Sequence, residues 1–223
     1  MSVKKQIICL AVSWKKGDFC VAGREIVGQE IGPWIRPIGS GKEGAAKLRE
    51  IQISPGVRPN ILDVVEIGLS KACPERHQRE NWEIDPSSPW RRTAVFSKKE
   101  LRSLQESPET LWVNGIRSSN DRMPETLAHA QANSLFLIRP ARVKFILTTS
   151  LSGTEQIRGN FNHNDVDYDL VLTDPMASAA LKERGLTKKE PEMSLEHPHL
   201  CISLGLRAFN GDCYKLIAGF IFP

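Results

Sequence analysis

The stretch that decides the fold is VDYDLVLTDPMASAALKERG, residues 166–185. Its first half alternates between apolar and polar side chains up to Leu172, which is typical of a half-buried strand. Its second half changes to helical spacing, because Asp174 is a suitable N-cap, Pro175 suits the first helical position and Gly185 ends the pattern. The stretch therefore predicts a strand that leads directly into a helix.

Strands are predicted on both sides of this stretch. Two precede it, in LFLIRPARVKFILT (residues 135–148, interrupted at Arg139-Pro140) and QIRGNF (156–161). Two more, LCISLGL and CYKLIAGFIF, follow a polar connector at 186–198. The order strand, strand, strand, helix, strand, strand is that of an OB-fold, a five-stranded Greek-key barrel. A helix-capped sandwich and an SH3-like barrel have similar periodicity and stay open as alternatives.

The last of these strands is joined to the one before it by a turn signal. Asn210-Gly211 is the dipeptide most typical of a short hairpin. Alternation in CYKLIAGFIF predicts that one face of this strand carries Tyr214, Leu216, Ala218, Phe220 and Phe222.

The N-terminal half repeats this order less clearly. Strands are predicted at 6–14, 19–27, 32–38 and 61–69, with a short helix at 43–50, and the last strand of this half lies somewhere in 82–96. We therefore expect a mainly β protein of two OB-like five-stranded barrels with short helices, tightly associated. We expect the chain to divide into an N-terminal barrel at 1–96, a connecting helix and loops at 97–134, and a C-terminal barrel at 135–223.

Composition narrows the class of protein. The 223 residues are 40% hydrophobic and 25% charged, which is typical of a globular protein, and no apolar run is long enough for a membrane helix. The five cysteines are widely spaced and without a CxxC motif, so we expect free thiols and a cytoplasmic location. Residues 1–60 carry ten basic and five acidic side chains, so the positive excess of the chain is N-terminal. This excess is too mild for binding nucleic acid by phosphate neutralisation alone.

Several motifs occur in an order that is similar to a known family. These motifs are IICLAVSWKKGDFCVAGREI, GPWIRPI, ILDVVEI, HQRENWEID, LWVNG with NDRMPE, YDLVLTDP, and CISLG with CYKLIAG. The sequence resembles the bacterial dual OB-containing domain family over nearly its whole length. The resemblance implies two OB-like barrels and, by analogy of fold, the sensing of nucleic acid or nucleotides. It carries over no catalytic or binding residues.

GPWIRPI places Trp34 and Arg36 on one face of a short strand between prolines. This face predicts a surface for stacking and phosphate binding, because aromatic rings accept bases and arginine binds phosphate with two parallel hydrogen bonds. Alternatively, Trp34 closes one end of the barrel and Arg36 forms a salt bridge beside it.

HQRENWEID gathers His77, Arg79, Asn81 and Trp82 in a predicted loop. An aromatic face, an amide that can read a base edge and an arginine together suit nucleic-acid binding. The alternative is an ordered loop that Trp82 holds in place, with Asn81 bonded to the backbone.

WVNGIRSSNDR adds Arg117 and Arg122 as candidate phosphate contacts, although Asn-Gly and Asn-Asp also mark ordinary turns. NHNDVDYDLVLTD offers carboxylates for a magnesium-dependent nuclease, but Asp167 and Asp169 alternate as in any half-exposed strand. A Cys-His pair from His199 and Cys201 lacks a third group to orient it.

These observations predict a non-catalytic nucleic-acid or nucleotide-binding protein with no cofactor, no metal and no membrane partner. Its expected ligand is single-stranded nucleic acid or a nucleotide. Its expected role, by analogy alone, is a sensor or targeting subunit for a separate effector protein in defence. The alternatives are a protein-interaction scaffold and, third, a metal-dependent nuclease.

Overall fold

The computed structural model describes residues 2–15, 17–116, 118–150, 152–206 and 210–223, without the side chain of Lys15. The chain is mainly β and divides into two compact units, Met1–Gln105 (unit 1) and Glu106–Pro223 (unit 2). All five cysteines are free thiols. Among the described residues, no helix has the length and apolar character needed to cross a bilayer.

The described residues of unit 1 form six strands and three short helical segments. The strands are β1 (Val3–Lys15), β2 (Asp18–Val27), β3 (Glu30–Ile38), β4 (Asp63–Ala72), β5 (Asn81–Ile84) and β6 (Arg91–Val95). The helical segments are a 3₁₀ helix at Lys42–Gly44, α1 (Leu48–Ile51) and a 3₁₀ helix at Lys98–Ser103.

Five of these strands close into a ring. β1 pairs with both β2 and β4, β2 pairs with β3, and β4 pairs with β5, all antiparallel. β3 and β5 pair in parallel, which completes the cycle β1-β2-β3-β5-β4-β1 of an OB-fold with α1 between its third and fourth strands. β5 is the strand that the sequence pattern did not place. It has only four residues, so it gives no periodic signal of its own.

The interior of unit 1 is filled by alternate apolar side chains such as Ile7, Cys9, Val21 and Ile35. The predicted helix at 43–50 is shorter in the structure, because Ala46 exchanges two backbone hydrogen bonds with Phe19 and is held extended. This bridge leaves only Leu48–Ile51 to form a helical turn.

In the part of unit 2 that the structure describes, there are eight strands and two helices. The strands are β7 (Arg122–Pro124), β8 (Leu135–Ile138), β9 (Arg142–Thr149), β10 (Glu155–His163), β11 (Val166–Leu172), β12 (Glu192–Glu196), β13 (His199–Leu204) and β14 (Asp212–Ile221). The helices are α2 (Glu125–His129) and α3 (Pro175–Glu183).

The second barrel closes through two long interrupted strands. β8 and β9 flank Arg139-Pro140, and they pair with β13 and β12 in one continuous register, from Ser203 opposite Leu135 to Glu192 opposite Ile146. β9 also pairs with β10, β10 with β11, β11 with β14 in parallel, and β14 with β13. Counting each interrupted pair as one strand, the order is again that of an OB-fold, with α3 after the third strand. The predicted polar connector therefore contains a strand, β12.

The buried face of β14 differs from the predicted one. Cys213, Lys215 and Ile217 face the interior in its first half, whereas Phe220 does so in its second half. The pairing with β13 shifts between Cys201 and Ile202, so Ala218 is an extra residue on β14. A one-residue bulge exchanges the two faces of a strand, and simple alternation does not reveal it.

Asp174 caps α3 as predicted, and its side chain accepts hydrogen bonds from the backbone N–H groups of Met176 and Ala177 at 2.9 and 3.0 Å. The carboxylate is almost fully buried. We expect Asp174→Ala to lower the free energy of unfolding by about 1–2 kcal/mol, measured by urea denaturation. Ser97→Ala is the control, because Ser97 caps an exposed 3₁₀ helix and its loss is expected to cost less. Equal stability of the Asp174 variant and the parent chain would contradict the cap.

Candidate nucleic-acid interface

A large aromatic side chain is exposed at the hairpin that joins β1 and β2. Trp14 is 51% exposed, and its ring meets that of Phe19 edge to face, with centroids 4.9 Å apart. Trp14 and Phe19 are directly opposite in the register, one pair before Lys15 and Asp18, the last pair before the turn. The hairpin therefore presents a tryptophan ring whose orientation is set by a second aromatic ring.

A cation lies beside this aromatic pair. The guanidinium carbon of Arg58 is 5.4 Å from the centroid of the Phe19 ring, within the range of a cation–π interaction. One guanidinium nitrogen donates to the carbonyl of Pro59 at 3.1 Å, which fixes the direction of the side chain. We call Trp14, Phe19 and Arg58 the hairpin cluster. The sequence analysis missed it, although the stretch SWKKGDF, with a tryptophan beside two lysines at a turn, was a usable signal.

The predicted residue Trp34 lies on the outer face of β3 and is partly buried. It is opposite Arg24 of β2, whose guanidinium carbon is 5.7 Å from the Trp34 ring centroid. Arg24 also donates to the carbonyl of Gly32 at 2.8 Å. Trp34 is thus neither fully exposed for base stacking nor buried inside the barrel.

Arg36 is buried in unit 1. Its Nε donates to Glu80 Oε1 at 2.9 Å, and each of these side chains is 9% exposed. The Arg36 backbone N–H also donates to the Glu80 carbonyl. Arg36 therefore holds the loop before β5 against β3, which agrees with the salt bridge that we considered for it.

The residues predicted from HQRENWEID are divided by the structure. His77 and Asn81 are buried, and the Asn81 amide donates to Gln78 at 3.4 Å. Trp82 packs partly against the core, with Lys5 Nζ 4.6 Å from its ring centroid. Arg79 is exposed. The buried His77 and Asn81 side chains stabilise the loop, and Arg79 is the member of this set available to a ligand.

Arg122 belongs to unit 2 and is bound on several sides. It forms two hydrogen bonds with Asp121, at 2.9 and 3.1 Å, and donates to the Tyr214 hydroxyl at 2.9 Å. Burial alone would raise the pKa of Asp121, but hydrogen bonds from Arg122 and Ser119 and the charges of Arg122 and Arg158 hold it below its ordinary value. The other residue predicted from this segment, Arg117, lies outside the described residues.

The acidic strand that suggested a nuclease is used for structural contacts. Asp169 Oδ1 accepts a hydrogen bond from Arg158 at 2.8 Å, and Asp167 Oδ1 accepts one from Asn162 at 2.9 Å. Within the described ranges, no group of three or more His, Cys, Asp or Glu side chains has the geometry to hold a metal ion. His199 and Cys201 are both buried on β13.

A lysine is fully buried in unit 2. Lys215 Nζ donates to the carbonyl of Val113 at 2.8 Å and to Asn114 Oδ1 at 2.7 Å. The Asn114 amide in turn donates to the Tyr168 hydroxyl at 2.8 Å. Burial lowers the pKa of Lys215 to about 7, against the opposing effect of the Asp121 charge. We call Lys215, Asn114 and Tyr168 the buried polar cluster.

The two units differ in charge. Unit 1 carries eighteen Lys and Arg against twelve Asp and Glu, a net charge of +6, and unit 2 carries twelve against fourteen, a net charge of −2. The hairpin cluster therefore belongs to the unit that carries the whole positive excess of the chain.

Two units that each close five strands in this order define a tandem OB-fold protein. The sequence matches the family described as "Dual OB-containing domain" over residues 5–220, and the chain belongs to this family. No curated protein matches it.

Some solved structures are distantly similar to the chain. A murine DNA-binding protein bound to double-stranded DNA is 7% identical, with all of both chains covered and a TM-score of 0.32. The Ifi202 HINa domain in complex with 20-bp double-stranded DNA is 14% identical, with 97% of this chain and 93% of that chain covered and a TM-score of 0.30. The tetrameric p202 HIN2 domain is 12% identical, with 96% and 87% covered and a TM-score of 0.30.

Proposed function

We propose that unit 1 binds single-stranded nucleic acid through the hairpin cluster, without catalysing a reaction. The observation that carries this proposal is the half-exposed ring of Trp14 at the end of β1, next to the loop that joins the first two strands of an OB barrel. In OB-folds this loop and the face of the second and third strands are used to bind oligonucleotides.

The chemistry of the hairpin cluster suits this ligand. An aromatic face accepts any base. The Trp14 ring contacts the Phe19 ring edge to face, and about half of Trp14 remains exposed. Arg58 supplies a positive charge next to the rings, where a phosphate of a stacked nucleotide would lie. Trp34, Arg24 and the exposed Arg79 are the further contacts we propose along the outer face of β2 and β3 and the neighbouring loop.

A role as a sensor or targeting subunit that works with a separate effector protein is part of the proposal. In this proposal, the loop before β5 is held in place by Arg36, His77, Asn81 and Trp82. In unit 2, the proposed phosphate contacts are Arg117 and Arg122. Arg122 would have to exchange its hydrogen bond with Tyr214 for one to phosphate.

The test is binding of a fluorescent single-stranded oligonucleotide about 12 nucleotides long, measured by anisotropy. Because two or three phosphates are expected to be neutralised, the affinity should fall roughly tenfold between about 50 and about 200 mM salt. No binding to DNA, RNA or nucleotides at low salt would overturn the proposal. Co-purification of a stable partner would then favour the scaffold alternative, and magnesium-dependent cleavage lost in Asp167→Asn would favour the nuclease alternative.

A further inference from the structure

The outer face of β9, β10 and β11 in unit 2 contains a cleft of about 600 Å³. Its charged and amide side chains form one basic pair on β9, one amide pair on β10 and one acidic pair on β11. These side chains are Arg142, Lys144, Asn160, Asn162, Asp167 and Asp169. No part of the function proposed for unit 1 uses this cleft.

The strand register orders these side chains by charge. Lys144 is opposite Asn160, and Asn160 is opposite Asp169. In the next row, Asn162 is opposite Asp167. Neighbouring strands are about 4.8 Å apart, so the basic and acidic edges of the cleft are separated by roughly 9.6 Å. A ligand that fits must therefore carry an anion at one end and hydrogen-bond donors at the other.

The amide of Asn160 lies between the two charged edges. Its Oδ1 atom is buried and accepts no hydrogen bond from any described residue. Native proteins satisfy nearly all such buried atoms, and the exceptions call for an explanation such as a binding role. Once the Asn160 amide rotates towards the cleft, a donor on a bound ligand would satisfy this oxygen.

The two charged edges remain able to bind a ligand. Lys144 and Arg142 pair with Glu192 and Glu196, but all four side chains are about half exposed, so these ion pairs contribute little and can exchange for another anion. Arg158 Nε uses only one oxygen of Asp169, and a carboxylate can accept further hydrogen bonds.

We propose that this cleft binds a guanosine phosphate. Guanine has two adjacent donors, N1–H and the 2-amino group, on the edge farthest from its sugar, and a carboxylate accepts both. Asp169 accepts hydrogen bonds from both donors of this edge, and Asn160 Oδ1 accepts a further hydrogen bond from the same edge. Arg142 and Lys144 bind the phosphate. Adenine has a single donor group at this edge and leaves the acidic pair unsatisfied.

The ligand has two possible sources with this shared chemistry, free GMP or a terminal guanosine with its phosphate on a nucleic-acid strand. The experiment is calorimetric titration of the full chain with GMP, with AMP, and with short 5′-phosphorylated oligonucleotides that begin with G or A. We expect a preference of at least about tenfold for the guanine ligand, because adenine offers one donor group to the Asp169 carboxylate and Asn160 Oδ1 where guanine offers two. Binding of GMP identifies the free nucleotide, and binding of the G-terminal oligonucleotide alone identifies the strand end.

Variants test the residues that line the cleft. Asn160→Ala should weaken binding of the guanine ligand about tenfold, the lower part of the range for a lost base contact. Lys144→Ala should weaken it by a similar factor, because it removes a charge-assisted hydrogen bond to the phosphate. Gln156→Ala, on the outer face of the same strand but outside the cleft, should not weaken it. Equal affinity for the guanine and adenine ligands, no binding of either, or full affinity in Asn160→Ala would overturn the proposal.

Discussion

Trp14→Ala is expected to weaken binding of a single-stranded oligonucleotide by about 1–3 kcal/mol, roughly 10- to 100-fold in affinity. The substitution removes the exposed ring on which a base would stack, while the paired backbone of β1 and β2 stays intact. The measurement is fluorescence anisotropy at low salt. Stability should change little, because the ring is half exposed and its main contact is the edge of Phe19.

Two further variants make this result specific. Trp14→Phe keeps an aromatic face and should recover most of the affinity. Val95→Ala removes an exposed apolar side chain of the same unit, 64% exposed on β6, and should leave binding unchanged. If Trp14→Ala binds the oligonucleotide as tightly as the parent chain, the hairpin cluster is not the binding surface.

Lys215→Met is expected to make the free energy of unfolding depend less on pH in the alkaline range. The pKa of Lys215 falls from 10.5 to about 7 in the folded chain, so between these values the unfolded chain binds more protons. The free energy of unfolding of the parent should therefore rise with pH across this window, by up to about 1.4 kcal/mol per pH unit. Below about pH 7 the penalty of the buried charge is fully present, and above about pH 10.5 it is gone.

The comparison is made by urea denaturation at several pH values for the parent and the variant. Between about pH 7.5 and about pH 9.5, the parent should gain roughly 2 kcal/mol relative to Lys215→Met. Lys182→Met is the matched control, because Lys182 is an exposed lysine of the same unit paired with Glu155. A parent and a Lys215→Met variant with parallel pH profiles would show that Lys215 is not buried as a neutral amine.

The order of elements in both halves was predictable from periodicity and caps. Asp174, Pro175 and Gly185 mark the helix that follows the third strand of the second barrel, and Asn210 and Gly211 both have the positive φ values that a tight hairpin turn needs. These signals work because each depends only on neighbouring residues. β5 gave no such signal, since its place is set by parallel pairing with β3, far away in the sequence.

The candidate site was less predictable, because exposure depends on what covers a strand. Trp34 and Arg36 share a face of β3, yet Arg36 is buried against Glu80, whereas Trp34 is only partly buried. Lys215 lies off the apolar face predicted for β14, and the bulge at Ala218 explains why it faces the barrel interior. Trp14 was predicted only as the end of a strand, although its place beside two lysines at a turn was a local signal. The contacts of the buried Arg36 and Lys215 side chains come from residues distant in the sequence, which composition and local pattern do not encode.

The continuous register between residues 134–146 and 192–204 also bears on how quickly unit 2 can fold. Its pairs join positions from 46 residues apart, at Ile146 and Glu192, to 68 apart, at Leu135 and Ser203. Such pairing requires closing a long loop, whose entropic cost must be met before the contacts form. Helix α3 and the antiparallel pairs β9-β10, β10-β11 and β13-β14 can form locally. Closure of the barrel requires the distant pairing, so folding of unit 2 is expected to be slow for its size.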